Sequence, residues 1–156
     1  MPRPFDPDVL LTAPLMANLA TTSPDGPRNA PVWFLWEEGA LWMPGDADGS
    51  SVKRVLNAPQ VAVEIVDFDA TEGRLLHLGL RGDAEVAPME APRFERLLTK
   101  YLGPDASTWN SWFIETIARP EDPDGRFIRL APTSVFTNNS SYFLTGPDLA
   151  WPKENP

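Results

Sequence analysis

Residues 49–53 combine residue types that can hold an anion. They read Gly-Ser-Ser-Val-Lys and stand where a loop, residues 44–49, enters a predicted helix. The first backbone N–H groups of a helix lack partners within the helix, and the helix dipole favours negative charge at that end. The hydroxyls of Ser50 and Ser51 add hydrogen-bond donors, and Lys53 adds a positive charge. The segment is therefore a candidate anion site, with an ordinary capped surface helix as the alternative.

His77 is the only histidine in the chain, which has no cysteine. This composition excludes disulfides, thiolate metal sites, cysteine nucleophiles and any site that needs two histidines. Alternation along the predicted strand places His77 on the same face as Arg81, opposite a face of three leucines. The imidazole is either a ligand-binding group whose charge changes near neutral pH or a half-buried strand residue hydrogen-bonded to a neighbour.

Trp33, Trp36 and Trp42 concentrate aromatic surface in one short stretch. Large aromatic side chains build cores and subunit interfaces, and they also form platforms on which a flat ring can stack. Alternation places Trp36 on the face of Phe34 and Trp33 on the opposite face. We expect Trp36 and Trp42 to serve as core or interface residues.

The charge balance excludes several function classes. The formal net charge is −9, from 22 acidic and 13 basic residues, and no basic stripe is visible. Duplex binding and attachment to anionic membranes are therefore not expected. The sequence DADG at residues 46–49 is a fragment of a calcium-loop pattern that lacks the distal glutamate, so we expect no metal site. No apolar stretch is long enough to cross a membrane, the N-terminus has no signal-peptide core, and we expect a cytoplasmic protein.

Turn residues divide the chain into short elements. The 156 residues fit one domain, and 18 prolines with 10 glycines favour a barrel or a sandwich of short strands. Strands are predicted at residues 15–22, 29–37, 40–43, 60–66, 74–86 and 127–136. Helices are predicted at residues 7–13, at residues 50–58 with Val52, Val55 and Leu56 on the apolar side, and at residues 88–102. Residues 103–125 are predicted to be irregular or a broken helix, and the tail from Asn138 to be a loop.

The order of these elements and three local sequences resemble one known family. LATTSPDGPRNAPVWFLWEEGALWM, SSVKRVLNAPQVAVEI and LHLGLRGDAEV are similar to the opening strands, the helix–strand segment and the fifth strand of the FMN-binding split barrels. These proteins form the pyridoxamine 5'-phosphate oxidase-like superfamily, which includes general-stress-protein-like members. The resemblance covers about residues 9–137. It implies an α+β, mainly β fold: a six-stranded antiparallel split β-barrel with peripheral helices, as a single domain over residues 1–156 with a tail at 138–156.

The resemblance also implies a ligand site, in which FMN lies at the interface of a homodimer. Three residues are expected beside the flavin ring: Val32, Trp33 and Phe34. Two are expected beside the ribityl chain: Met43 and Pro44. Four are expected near the phosphate: Gly49, Ser50, Ser51 and Lys53. His77 stands where the family places a polar side chain that reaches the flavin from the fifth strand.

Two departures from the family pattern weaken the phosphate end. The family usually has a lysine after the loop serine and an arginine on the second strand. Without a gap, Ser51 and Ala30 occupy those two positions. Each lost charge-assisted hydrogen bond is worth about 1.5–3 kcal/mol, so we expect weakened FMN binding or a different flat ligand.

The implied function is a flavin-dependent oxidoreductase acting on a small organic molecule, in which the cofactor carries out the redox step. The sequence identifies no acid or base. The basic C-terminal segment that true pyridoxamine oxidases use for their substrate has no counterpart in GPDLAWPKENP. The alternatives are a deazaflavin coenzyme or haem in the same fold, and a flavin-storing or stress-associated protein without catalysis or without cofactor.

Overall fold

The computed structural model describes residues 3–117 and 123–141. Its strands are β1 (Ala17–Ser23), β2 (Gly26–Val32), β3 (Leu35–Glu37), β4 (Ala40–Asp46), β5 (Gln60–Asp69), β6 (Arg74–Pro88), β7 (Gly125–Leu130) and β8 (Ser134–Asn139). Its helices are α1 (Asp8–Leu11), α2 (Ser50–Asn57), α3 (Ala91–Leu102) and α4 (Ser111–Ile117), with a short 3-10 turn at Ala106–Thr108. The predicted loop at residues 138–156 begins inside β8, and its residues 142–156 lie outside the described part.

The strands form one rolled antiparallel sheet, in the order β2-β1-β5-β6-β7-β4-β3, with β8 also paired to β6. Strand β6 spans both halves of the sheet, because its first ten residues pair with β5 and its last five with β7. The two edge strands, β2 and β3, are separated by only Trp33 and Phe34. The two edges therefore meet at this point, as in a split barrel, and the predicted α+β, mainly β class is confirmed.

The described residues contain eight strands instead of the predicted six, because two predicted strands are interrupted. The strand predicted at 29–37 breaks at Trp33–Phe34, where side chains of α3 take up the backbone groups of Phe34. The strand predicted at 127–136 breaks at residues 131–133, where Pro132 has no N–H and the Thr133 N–H turns to the Arg81 carbonyl. The Glu38–Gly39 turn between β3 and β4 has positive φ at both residues, as a two-residue hairpin requires.

The inside of the barrel holds an aliphatic cluster, here called the inner core. Alternation predicts its β6 members correctly, since Leu76, Leu78 and Leu80 are at most 3 % exposed. Helix α2 covers it with Val52 and Val55, both 2 % exposed as predicted, whereas Leu56, predicted on the same apolar side, is 66 % exposed.

A second cluster, here called the α3 cluster, lies between α3 and the outer face of the β4–β7 pair. Its buried members are Ala40, Trp42, Leu97, Leu98, Trp109 and Phe127. Trp33 and Leu35 pack against this cluster, whereas Phe34 and Trp36 belong to the inner core, so the faces predicted from alternation are correct. The prediction that Trp36 and Trp42 are core residues is confirmed as well.

Within residues 3–117 and 123–141, no helix has both the length and the apolar character that crossing a membrane requires.

Candidate functional site

The break between β2 and β3 is held by two neighbouring side chains of α3. The Phe34 N–H donates to the Tyr101 hydroxyl at 3.0 Å, and that hydroxyl donates to the Leu15 carbonyl at 2.6 Å. The Lys100 ammonium donates to the Phe34 carbonyl at 2.9 Å and to the Leu11 carbonyl at 3.1 Å. Side chains therefore satisfy the polar backbone of Phe34 where strand pairing is interrupted.

Burial changes the titration of both side chains. Desolvation lowers the pKa of Lys100 to about 7, although its nitrogen also lies 3.4 Å from the centroid of the Phe34 ring. Desolvation raises the pKa of Tyr101 to about 12, against the opposing effect of the Phe34 N–H. The hydroxyl of Tyr101 is thus neutral at every physiological pH, whereas the charge of Lys100 changes near neutrality.

An aromatic stack continues outward from this break. Trp33 stacks on Tyr101 with centroids 4.5 Å apart and planes inclined by 7°. Phe113 of α4 lies 6.0 Å from Trp33 at 18°. Parallel rings at these distances are favourable and define a flat apolar wall.

This wall borders a cavity of about 520 Å³ between β4, α3 and α4, here called the aromatic cavity. Its lining residues are Trp33, Pro44, Gly45, Asp46, Met89, Phe94, Leu97, Leu98, Trp112, Phe113, Glu115, Thr116 and Gly125. The volume is within the usual range for small-molecule sites. The apolar lining suits a flat ring system, while the carboxylates of Asp46 and Glu115 disfavour an anionic group inside.

Helix α2 begins beside this cavity. A Cβ at Gly45 would lie 3.1 Å from the Val52 side chain, so the first turn of α2 packs directly on β4. Gly49 caps the helix, and a Cβ there would lie 3.0 Å from the Asp46 carbonyl oxygen, which explains a glycine at this position. Ser51 is half-buried, and the side chain of Lys53 is exposed.

Sequence reasoning missed two arginines next to Thr21, of which Arg54 also contacts Ser51. The Arg54 guanidinium donates to the Thr21 hydroxyl at 2.7 Å and to the Ser51 hydroxyl at 3.3 Å. Arg28 lies directly across from Thr21 in the β1–β2 pair, and its side chain is exposed. The spacing of Ser51 and Arg54 was the available signal, because residues three apart share a helix face.

His77 lies in a different place, on the outer face of the sheet. Its Nε2 is 3.3 Å from a Glu64 carboxylate oxygen, and its ring lies 5.8 Å from that of Phe136. A second cavity, of about 400 Å³, opens here and is named the outer-face cavity. It is lined by Asn18, Ala20, Asn29, Ala62, Val63, Glu64, His77, Gly79, Leu80, Arg81, Ser134 and Phe136. His77 and Arg81 thus share a face, as alternation predicts.

The ten residues predicted for the site fall in four places. Trp33 and Pro44 line the aromatic cavity. Phe34 and Met43 have fully buried side chains and half-buried Val32 packs beside them, all within the inner core, so Phe34 and Met43 could meet a ligand only through backbone atoms. The four residues predicted at the phosphate, Gly49, Ser50, Ser51 and Lys53, form the start of α2. His77 faces the outer-face cavity, and none of the other nine predicted residues lines that cavity.

The rolled antiparallel sheet, the interrupted second strand and the helix after β4 define the split-barrel class. Residues 8–139 match the family model described as pyridoxamine 5'-phosphate oxidase. The chain belongs to that family, and the resemblance found in the sequence is confirmed.

Solved structures show the same fold. An F420 reductase is 26 % identical with a TM-score of 0.64, over 86 % of this chain and 98 % of that one. General Stress Protein 26 from Bacillus anthracis str. Sterne is 19 % identical with a TM-score of 0.62, over 88 % and 93 %. An FAD-binding protein from Mesorhizobium loti is 18 % identical with a TM-score of 0.57, over 81 % and 85 %. No curated protein sequence matches this chain.

Proposed function

We propose that this protein binds a flavin-type cofactor, FMN, and acts as an oxidoreductase on a small organic molecule. The observation that carries the proposal is the aromatic cavity beside the β2–β3 break, in a chain of the pyridoxamine 5'-phosphate oxidase family. When bound, the cofactor would supply the redox chemistry. The chain's own residues bind it, orient it and exclude water.

The ring end of the cofactor fits the aromatic cavity. Trp33 and Phe113 offer parallel aromatic faces, and Met89 and Phe94 add apolar surface. Stacking and burial of an uncharged ring need no counter-charge there, which agrees with the acidic rim at Asp46 and Glu115. Pro44 leads from this cavity along β4 toward α2, the direction in which the ribityl chain would run.

The phosphate end fits the start of α2, with the cations that sequence reasoning missed. Arg54 contacts both Ser51 and Thr21, and Arg28 is paired across from Thr21 on β2. They supply charge that the family pattern places at the positions occupied here by Ser51 and Ala30. Arginine binds phosphate through paired N–H groups, which supports FMN rather than a cofactor without phosphate.

A homodimer is part of the proposal, because His77 is remote from the aromatic cavity within one chain. Phe68 and Phe136 expose apolar surface on β5 and β8, at 60 % and 43 % exposure. A second copy covering the outer-face cavity would bury this surface and bring His77 toward the partner's cofactor. Light scattering should then give twice the 17.3 kDa chain mass, and the chain mass itself at micromolar concentration would contradict the dimer.

A deazaflavin coenzyme is the second candidate for the cofactor. The 26 % identity with an F420 reductase over 86 % of this chain favours it. Such a coenzyme has the same flat ring and a phosphate, so the same two ends of the site would hold it. Haem and a cofactor-free binding protein are the remaining alternatives.

The absorption spectrum of the purified protein, with and without added FMN, tests the proposal. Flavin bands that stay with the protein through gel filtration, and that bleach when a nicotinamide donor is added, are the expected result. Retention of only the deazaflavin coenzyme would select the second candidate, and a Soret band would select haem. Retention of none of these ligands would contradict a cofactor role.

The phosphate end has its own test. Ser51→Asp places a carboxylate beside the proposed phosphate and should weaken FMN by tenfold or more, about 1.4 kcal/mol, while riboflavin binding changes little. Asn57→Asp is the matched control, because it adds the same carboxylate at the exposed far end of α2. Equal losses of FMN and riboflavin would place the phosphate elsewhere.

A further inference from the structure

Lys100 and Tyr101 join three separate segments of the chain. Both contact Phe34 at the strand break. Lys100 also reaches the Leu11 carbonyl at the end of α1, and Tyr101 reaches the Leu15 carbonyl just before β1. Two successive side chains of one helix thus connect α3 to the break and to the segment that leads into the barrel.

The same two side chains determine where Trp33 stands. Trp33 precedes Phe34, and its ring lies on the Tyr101 ring at 4.5 Å. With the backbone of Phe34 bonded on both its N–H and its carbonyl, the peptide that carries Trp33 has little freedom to turn. Trp33 is part of the wall of the aromatic cavity, and its position is therefore fixed by Lys100 and Tyr101, which do not line the cavity themselves.

We propose that Lys100 and Tyr101 form a latch of positioning residues, which holds the Trp33–Phe34 break and so keeps the aromatic cavity shaped for a flat ring. The effect on a bound cofactor rests on the proposed function. The hold on Phe34 does not, and it can be measured without any ligand.

Burial favours an uncharged Lys100, against the carbonyls of Leu11 and Phe34, which favour the ammonium form. A neutral amine has two N–H donors, which match the carbonyls of Leu11 and Phe34, and Tyr101 is the only titratable side chain in contact with it among the described residues. Burial lowers the pKa of Lys100 to about 7, whereas an open latch would return it toward 10.5. Between pH 7 and 10.5, formation of these contacts therefore releases a proton from Lys100. The closed state of the latch becomes more stable as the pH rises through this range.

Hydrogen exchange of the Phe34 amide tests the latch directly. Tyr101→Phe keeps the ring under Trp33 but removes the hydroxyl that accepts from this amide. Its protection factor should fall by about tenfold or more, which corresponds to 1.4 kcal/mol, while the amide of Leu78 in the inner core keeps its protection. Thr99→Ala, on the exposed side of α3, is the matched control and should change neither amide.

The pH arm separates a latch from a purely structural role. In the wild type the Phe34 protection factor, corrected for the intrinsic exchange rate, should rise between pH 7 and 10, and Lys100→Met should make it flat. Unchanged Phe34 protection in Tyr101→Phe, or equal losses at Phe34 and Leu78, would overturn the latch. So would a pH dependence that survives in Lys100→Met.

Cofactor binding gives the second readout. Tyr101→Phe should weaken FMN several-fold and Thr99→Ala should leave it unchanged. A wild-type protein that binds no FMN would contradict the proposed function, while the exchange data would still decide the latch. Equal FMN affinity in the wild type and in Tyr101→Phe, with exchange at Phe34 accelerated, would overturn the positioning role.

Discussion

The inner core and the α3 cluster are built in different ways. The inner core is filled mainly by aliphatic side chains from all around the barrel and from α2, together with the ring of Phe34, and its members include no charged group. The α3 cluster is rich in aromatic side chains, and the cations Arg93, Arg129 and Lys100 lie over the rings of Trp42 and Tyr101. Arg93 lies 3.5 Å from the centroid of Trp42, and Lys100 bonds the backbone beside Trp33.

This difference separates the stability of the barrel from the placement of the site. Apolar burial is large but has no direction, so it closes the barrel without fixing any one side chain precisely. Hydrogen bonds and ion pairs are weaker in sum but have direction. The residues proposed to bind a ring belong to the α3 cluster, where hydrogen bonds and ion pairs from α3 fix the edge of the sheet.

The inner core should carry the largest single contribution to stability. Leu78 is completely buried in it, so Leu78→Ala should lower the free energy of unfolding by about 2–5 kcal/mol through lost burial and the cavity left behind. Urea denaturation measures this loss. Leu56→Ala, at 66 % exposure, is the control and should cost little. A loss below about 1 kcal/mol for Leu78→Ala would contradict a tightly packed barrel.

Arg93 should rank next. Its guanidinium contacts the carboxylates of Glu37 at 2.6 Å and of Glu38 and Glu90 at 3.1 Å, with 7 % of its side chain exposed. Arg93→Met keeps most of the apolar contact with Trp42 but leaves the Glu37 carboxylate with one partner fewer. We expect a loss of about 2 kcal/mol in urea denaturation, less than for a fully buried pair because the acids are partly exposed. No change in the free energy of unfolding for Arg93→Met would show that aromatic packing alone holds α3 in place.

The acid limb of the stability curve should report the same cluster. Hydrogen bonds from Arg96 and Arg93 lower the pKa of Glu37 below its usual value of 4.5. The stabilisation is therefore present above pH 4.5 and is lost as the pH falls through the lowered pKa. Arg93→Met should weaken this dependence. An unchanged acid limb in thermal unfolding from pH 6 to 3 would assign the effect to Arg96 alone.

Tyr101→Phe should cost less than either substitution above. It removes one hydroxyl that bridges the Phe34 N–H and the Leu15 carbonyl, so the free energy of unfolding should fall by about 1 kcal/mol. Urea denaturation with an unchanged m-value is the measurement. A loss as large as that of Leu78→Ala would mean that the two clusters do not differ as described.

The alkaline limb of the stability curve should report the burial of Lys100. The folded state binds fewer protons than the unfolded state between pH 7 and 10.5, so the free energy of unfolding should rise with pH across this window. Below pH 7 the burial of the charge destabilises the protein fully. Lys100→Met should remove the rise, and a rise that persists would assign it to another group.

Alternation and turn residues predict much of this fold. Leu76, Leu78 and Leu80 face inward as predicted, and Val52 and Val55 set the register of α2. The interruption at Trp33–Phe34 could not be predicted, because the groups that replace strand pairing come from Lys100 and Tyr101, 66 and 67 residues away. A local sequence pattern contains information only about residues that are close to one another along the chain.

The site could be predicted only in part, because it too depends on contacts between segments that are distant along the chain. Trp33 was predicted beside the ring and Pro44 beside the ribityl chain, and both line one cavity, which also depends on α3 and α4. Arg54 was not predicted, because the family pattern places a lysine at the position of Ser51. The cation is instead an arginine three residues later on the same helix face. The position of His77 on the outer face follows from alternation, whereas its contact with a cofactor is part of the proposed homodimer.

Titration of FMN, followed by quenching of the flavin fluorescence, tests the central claim most directly. Trp112 lines the aromatic cavity and is 62 % exposed, so Trp112→Ala should lower FMN affinity with little loss of stability. Removing one aromatic contact with the ring should weaken binding by about 1 kcal/mol, roughly fivefold. Leu56→Ala, equally exposed but outside the cavity, should bind like the wild type. FMN affinity unchanged by Trp112→Ala, or absent in the wild type, would contradict a flavin site in this cavity.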